Sequence, residues 1–267
     1  MADETTAESW LALRDPDYVA KLIPPLRAAV KGYFRSEVKG LANIPDGGAL
    51  LVSNHSGGLV PMDVPVVVVA FVEHFGAERP FYVLAHDGLL LAAKRVLGPA
   101  GFIPASRTNA IAALRSGATT IVFPGGDYDV FRPTRDANKI DFAGHTGYVR
   151  TALDAGVPIV PVVSIGGQEQ FLILFRGTRL ARLLGLDRML RLKVAPIMVG
   201  FPFGLTAGLV PSLPLPAKIS TRILEPIYIE EEFGPNPGAA QVDRVVRARM
   251  QDALNELARQ RRFPVIG

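Results

Sequence analysis

The sequence predicts an α/β fold: a largely parallel central sheet flanked by helices, with amphipathic helices ahead of it. Two observations carry that prediction. From Gly48 to Gly167, short apolar runs alternate with segments of helical period, the pattern of βαβ units. No internal repeat, low-complexity run or linker interrupts the 267 residues, a length at which one large domain buries a substantial core. A single domain over 1–267 is therefore expected, with 1–36 as an N-terminal helical segment that either packs on its own domain, the commoner fate of amphipathic helices, or contacts a membrane, and 48–170 holding the chemistry.

The elements follow in order. Behind Trp10, the apolar positions Val19, Leu22, Ile23, Leu26, Val30, Tyr33 and Phe34 keep helical spacing, and Pro24 and Pro25 are expected to break the segment into two short helices. "GALLVSNH" (48–55) is a continuous apolar run ending in polar residues and reads as a buried strand. Met62 to Phe75 is too long for a strand and reads as a helix. "PFYVLAH" (80–86) is the next strand, Leu89 to Val96 a helix, "GFIPA" (101–105) a short strand and Asn109 to Ser116 a helix. "TTIVFPGG" (119–126) is a β-branched run closed by turn residues. His145 to Ala155 reads as a helix feeding "VPIVPVVSIGG" (157–167), a buried strand. "AKISTRILEPIYI" (217–229) reads as a late strand and Ala239 to Arg259 as a closing helix.

Composition narrows the function. Hydrophobic residues make up 49%, charged residues 20%, and mean hydropathy is +0.25, a mixture that suggests contact with an apolar partner. Net charge is +4, but the cations cluster: Phe175 to Val194 carries Arg176, Arg179, Arg182, Arg188, Arg191 and Lys193 against Asp187, among leucines. Such a stretch suits an anionic bilayer surface, or simply a solvated helix face. Nucleic acid is not expected as a partner, because no reading motif is present. With no cysteine, disulfides and thiolate chemistry are excluded. The acidic, polar start "MADETTAESW" is unlike a signal peptide, so a peripheral position on the cytoplasmic face of a membrane is expected. Val194 to Ala217 lacks charge but is interrupted by prolines and glycines, so it reads as apolar loops, packed on the core or dipping into a bilayer, rather than a span.

The candidate site residues follow strand ends: His55, Arg107, Gly125 and Gly126, and Gly166 and Gly167. Open α/β sheets gather ligands at the carboxyl ends of their strands. His145 opens a predicted helix, where capping is the expected role, and His74 and His86 have no comparable context. Neither a P-loop nor a dinucleotide-binding glycine pattern occurs. Ser164 lacks the leading glycine of a hydrolase elbow, and no metal-ligand spacing is present, so no metal or cofactor is expected.

In four blocks, from Val52 to Gly167, the sequence resembles the glycerolipid acyltransferase superfamily: "NHSGG" followed by Asp63, "GFIPASR", "IVFPGGDYD" and "VPIVPVVSIG". The "PGG" form of the third block, with its acid at Asp129, and "FAGHTGYVRTALDAGVPIVPV" are closer to the mono- and diacylglycerol branch. Seven residues separate His55 from Asp63, where the family places four, and Gly57 and Gly58 can bulge the connecting turn. The resemblance implies an acyl-CoA-dependent transferase with acyl-CoA as co-substrate and a glycerolipid acceptor. A lysophospholipid or lysophosphatidic acid is the first expectation, mono- or diacylglycerol the alternative, and an inactive lipid-binding protein the non-enzymatic one. His55 would be the general base, Asp63 its orienting acid, and Gly57 and Gly58 the oxyanion donors. Arg107 would bind phosphate, and Gly125 and Gly126 would allow close backbone approach to the ligand.

Overall fold

A computed structural model describes residues 6–55, 61–186, 194–207, 210, 212–263 and 265–266. Gly57 and Gly58 fall outside the described residues, as do Arg188, Arg191 and Lys193 of the basic stretch. Among the described residues the strands form two sheets.

The larger sheet has seven strands: β1 (Glu37–Lys39), β2 (Ala49–Ser53), β3 (Phe81–Ala85), β4 (Phe102–Pro104), β5 (Thr119–Val122), β6 (Ile159–Ile165) and β10 (Ser220–Ile223), in the order β1-β10-β6-β2-β5-β3-β4. The five from β6 to β4 are mutually parallel; β10 runs antiparallel to β6 and carries β1 parallel to itself. A sheet covered on both faces needs strands that are apolar on both sides. Accordingly every residue of β2 and β6 is buried. Leu50 and Val52 point towards α7 (Gly147–Ala155) and the closing helix α10 (Ala239–Gln260), whereas Ala49 and Leu51 meet Val64, Val67 and Phe71 of α3 (Asp63–Phe75). Full burial of a side chain such as Phe71 contributes about 1.5–3 kcal/mol.

The strand and helix assignments from Gly48 to Gly167 agree with the sequence, and two others need correcting. After a first helix, α1 (Ala7–Leu11), helix α2 (Pro16–Arg27) runs straight through Pro24 and Pro25 and continues as a π turn, Ala28–Tyr33. A proline removes a bond to the carbonyl four residues back. Those carbonyls belong to Ala20 and Lys21, both exposed, so water can replace the missing donors. The break falls earlier, before Pro16, where Asp15 caps α2 by accepting from the Asp17 and Tyr18 N–H groups. The apolar stripe of α2 is turned inward: Ile23 and Leu26 pack with Val30, Phe34, Val66 and Val69.

The second correction concerns Val194 to Ala217, expected as apolar loops throughout: eight of its residues form strands, and the rest of the described part is loop and turn. Ile197–Gly200 (β8) and Gly204–Ala207 (β9) form a hairpin that joins β7 (Leu172–Phe175) in a three-stranded antiparallel sheet. The turn residues Pro202 and Gly204 punctuate the hairpin, and each strand is only four residues long. Of the basic stretch, the described part forms the short helix α8 (Thr178–Leu183). Among the described residues no helix is long and apolar enough to cross a membrane.

Candidate active site

The site is built where β2 ends. Asn54 is buried, and its side-chain amide donates to the Ser164 carbonyl (2.9 Å) and accepts from the Ser164 N–H (3.0 Å). This reciprocal pair pins the exit of β2 to β6 and sets the direction in which the next residue, His55, leaves the sheet.

The His55 ring is held on two sides. Its Nδ1 lies 2.9 Å from Asp63 Oδ2, and its face stacks on Phe123 with ring centroids 4.0 Å apart and planes 7° from parallel. Asp63 opens α3 and is fully buried; a carboxylate in a first helical turn is favoured by the helix dipole. The longer spacing thus still brings the two side chains together. Asp63 Oδ1 has no hydrogen-bond partner among the described residues, and neither has His55 Nε2. A carboxylate accepts, so in the neutral imidazole the proton sits on Nδ1 and the lone pair on Nε2. The His55 side chain is 12% exposed.

The backbone of His55 is held by a buried ion pair. Its N–H donates to Asp129 Oδ2 at 2.6 Å, and its carbonyl accepts from Arg132 Nη2 at 3.5 Å. Asp129 and Arg132 pair with each other three residues apart on α6 (Gly126–Val130) and just beyond it, at 0% and 1% exposure. Burial pushes the Asp129 carboxyl above the ordinary carboxylate range, and the Arg132 guanidinium pulls the other way. Arg132 also donates to the carbonyls of Ala137 and Lys139, and Gln168 Nε2 donates to the Asp129 carbonyl at 3.3 Å. Gly125 explains itself here: a Cβ on it would stand 2.4 Å from the Asp129 Cβ. The absence of a side chain at Gly125 lets the Asp129 side chain come this close to the turn. Gly126 adopts φ +48° and starts α6, with open space where a Cβ would be. Gly166, at φ +105°, lies against the Lys218 carbonyl, 2.0 Å from where a Cβ would sit.

Arg107 stands apart. It opens α5 (Arg107–Arg115) behind the N-cap Ser106, and its guanidinium pairs with Asp154 at the surface. It lines a cavity of about 320 Å³ with Ser106, Pro124, His145, Tyr148 and Arg150. Leu50 and Val122 floor that cavity on the α7 side of the sheet, whereas Phe123 and the stacked His55 ring lie on the α3 side. Pro124, adjacent to Phe123, links the two places. His145 does not cap α7: its Nδ1 donates to the Pro124 carbonyl at 3.0 Å. The structure therefore brings together His55, Asp63, Gly125 and the end of β6, and leaves Arg107 in a neighbouring cavity.

Comparison with known proteins places this geometry. Residues 35–165 match the family model described as Acyltransferase. A Mycobacterium tuberculosis protein of uncharacterised function is 34% identical over 256 residues, covering 93% of this chain and 69% of its own. The chain belongs to the acyltransferase family. Further relatives of this acyltransferase are the "DGAT1/2-independent enzyme synthesizing storage lipids" of Homo sapiens, 31% identical over 196 residues, and that of Mus musculus, 29% over 199. Each match covers 70% of this chain and only 56% and 55%, respectively, of the relative's length. The crystal structure of the 1-acyl-sn-glycerophosphate acyltransferase from Thermotoga maritima superimposes with a TM-score of 0.55 at 18% identity, covering 90% of this chain and 81% of that one. That likeness shows the fold: a mostly parallel central sheet flanked by helices. Membership of the acyltransferase family indicates an enzyme.

Several residues that support the candidate site were given no role of their own in the sequence. Asn54, Phe123, Arg132 and Gln168 support His55 through a strand end, a ring face and a buried charge. Only the position of Asn54 directly before His55 marks it. Among the described residues no group of three or more His, Asp or Glu side chains is placed to hold a metal ion.

Proposed function

We propose that this acyltransferase moves a fatty acyl group from acyl-CoA to a hydroxyl of a lysophospholipid or lysophosphatidic acid, with His55 as general base. The observation that carries the reading is the 2.9 Å contact between His55 Nδ1 and Asp63, which leaves Nε2 with its lone pair and without a protein partner among the described residues. Imidazole as a side-chain type titrates near neutrality, which suits a base that must also return its proton. The acceptor hydroxyl gives its proton to Nε2 as its oxygen bonds to the thioester carbonyl carbon. The tetrahedral oxyanion then collapses, the C–S bond breaks, and Nε2 delivers the proton to the leaving CoA thiolate. Asp63 holds the tautomer and stabilises the imidazolium. The backbone N–H groups of Gly57 and Gly58 are the proposed oxyanion donors. Arg107 and Arg150 line the cavity beside Pro124 and are the proposed partners of a phosphate, of CoA or of the acceptor.

A second acceptor class, mono- or diacylglycerol, is favoured by the "PGG" block and by the storage-lipid relatives. One experiment separates the readings. Purified protein is incubated with palmitoyl-CoA and, in turn, lysophosphatidic acid, another lysophospholipid, monoacylglycerol and diacylglycerol, and CoA release is followed with a thiol reagent. The absence of cysteine removes protein background. Acceptor-dependent release that vanishes in His55→Ala, with acyl-CoA binding retained, supports the assignment and identifies the acceptor. Release without acceptor indicates a thioesterase, and binding without release indicates an inactive lipid-binding protein.

A further inference from the structure

The outer face of the second sheet is unusual for a protein surface. An antiparallel sheet with one face on the core ordinarily turns polar residues to water. Here Ile173 and Met198 point inward with Phe171, and the opposite face shows Leu172, Val199 and Leu205 side by side, paired across all three strands in register. Leu205 is 67% exposed, and in the β8–β9 turn Phe201 and Phe203 are exposed to 64% and 59%. None of the three strands carries an ionisable side chain. Exposed apolar residues this closely grouped mark an interaction site.

The helix that follows β7 in the chain gives the chemistry of the partner. Arg179 and Arg182 are exposed on α8, beside the exposed Leu183 and Leu184, and among the described residues from Gln170 to Ala217 there is no acidic side chain. We infer that the outer face of the β7–β8–β9 sheet, together with Arg179 and Arg182, docks the protein on an anionic lipid bilayer. This surface is separate from the N-terminal helices, whose apolar stripe is already used against α3. The inference rests on the glycerolipid reading only in explaining why docking is useful: the acceptor resides in the bilayer.

The sheet is joined to the catalytic framework. Thr134 Oγ1 accepts from the Ile173 N–H at 2.9 Å and donates to the Phe171 carbonyl at 3.3 Å. Arg176 Nε donates to the Tyr128 carbonyl at 3.0 Å, its guanidinium 3.6 Å from the Tyr128 ring centroid, one residue before Asp129. The docking sheet is thus tied on one side to the segment that holds His55.

The test is co-sedimentation of the full chain with sucrose-loaded vesicles of phosphatidylcholine alone or mixed with phosphatidylglycerol. The wild-type chain is expected to prefer the anionic vesicles. Leu205→Glu should lower partitioning at least tenfold, and Arg179→Gln or Arg182→Gln about fivefold, the loss of one surface cation. Lys21→Glu, on the exposed side of α2, should leave it unchanged. All variants are expected to unfold at the wild-type temperature and to keep turnover with short-chain acyl-CoA and a monomeric, water-soluble acceptor. Wild-type partitioning by Leu205→Glu, equal affinity for both vesicle types, or a larger loss in Lys21→Glu overturns the inference. So does a wild-type chain that ignores vesicles but forms a dimer dissolved by Leu205→Glu, which assigns the face to a second copy. Vesicle binding without acyl transfer to any acceptor upholds the docking face and removes the proposed function; transfer without vesicle binding does the reverse.

Discussion

Asp129 offers the sharpest test of how the site is held. Asp129→Asn preserves shape and one acceptor oxygen but removes the charge facing Arg132, whose side chain is 1% exposed. An unpaired guanidinium at that depth costs about 3–5 kcal/mol, the usual penalty for breaking a buried pair from one side. At roughly 2 °C per kcal/mol for a chain of this size, the unfolding midpoint should fall by about 6–10 °C, measured by far-ultraviolet circular dichroism. Replacing both partners, Asp129→Leu with Arg132→Met, removes the stranded charge, and stability should return to within about 1–2 kcal/mol of the wild type. Turnover should not return. In the double variant the His55 N–H has lost its 2.6 Å acceptor and its carbonyl has lost a donor, and a misplaced base costs on the order of 10²-fold in kcat. A double variant that regains both midpoint and wild-type kcat would show that the pair only fills space. An unchanged midpoint in Asp129→Asn would show that no buried charge was stranded.

Other substitutions probe the remaining contacts. Asp63→Asn should lower kcat by roughly 10²–10⁴-fold while acyl-CoA affinity, read by equilibrium binding, stays within about twofold. Gly125→Ala drives a Cβ against Asp129 and should cost about 1–3 kcal/mol in denaturant unfolding, with a parallel loss of kcat. Arg107→Ala should raise the KM for acyl-CoA or a phosphorylated acceptor several-fold and shift stability by less than about 1 kcal/mol, because its pair with Asp154 is exposed.

The parallel sheet was readable because burial on both faces forces uninterrupted apolar runs such as "ALLV" and "IVPVV", and few other structures use them. The histidine was readable because it ends one of those runs. Asp129 and Arg132 could not be read the same way: an acid and a base three residues apart look alike on a solvated helix and in a core, and only the fold decides which. The second sheet was hidden by its shortness, since four-residue strands between prolines and glycines resemble loops until register pairs Leu172, Val199 and Leu205. Pro24 and Pro25 misled for the opposite reason, because a helix tolerates them where the carbonyls they abandon face water.

The bonds from Asn54 to Ser164 and from His55 to Asp129 span 110 and 74 residues of chain. Contacts of such separation are made late, after a large loop-closure entropy has been met. On a ribosome adding about 5–20 residues per second, the segment bearing His55 therefore waits roughly 6–20 s before the strand that locks it has been made. A nascent or clipped chain ending before Ser164 carries the histidine without the pin that aims it, so partial products of synthesis or proteolysis should leave cellular thioesters untouched.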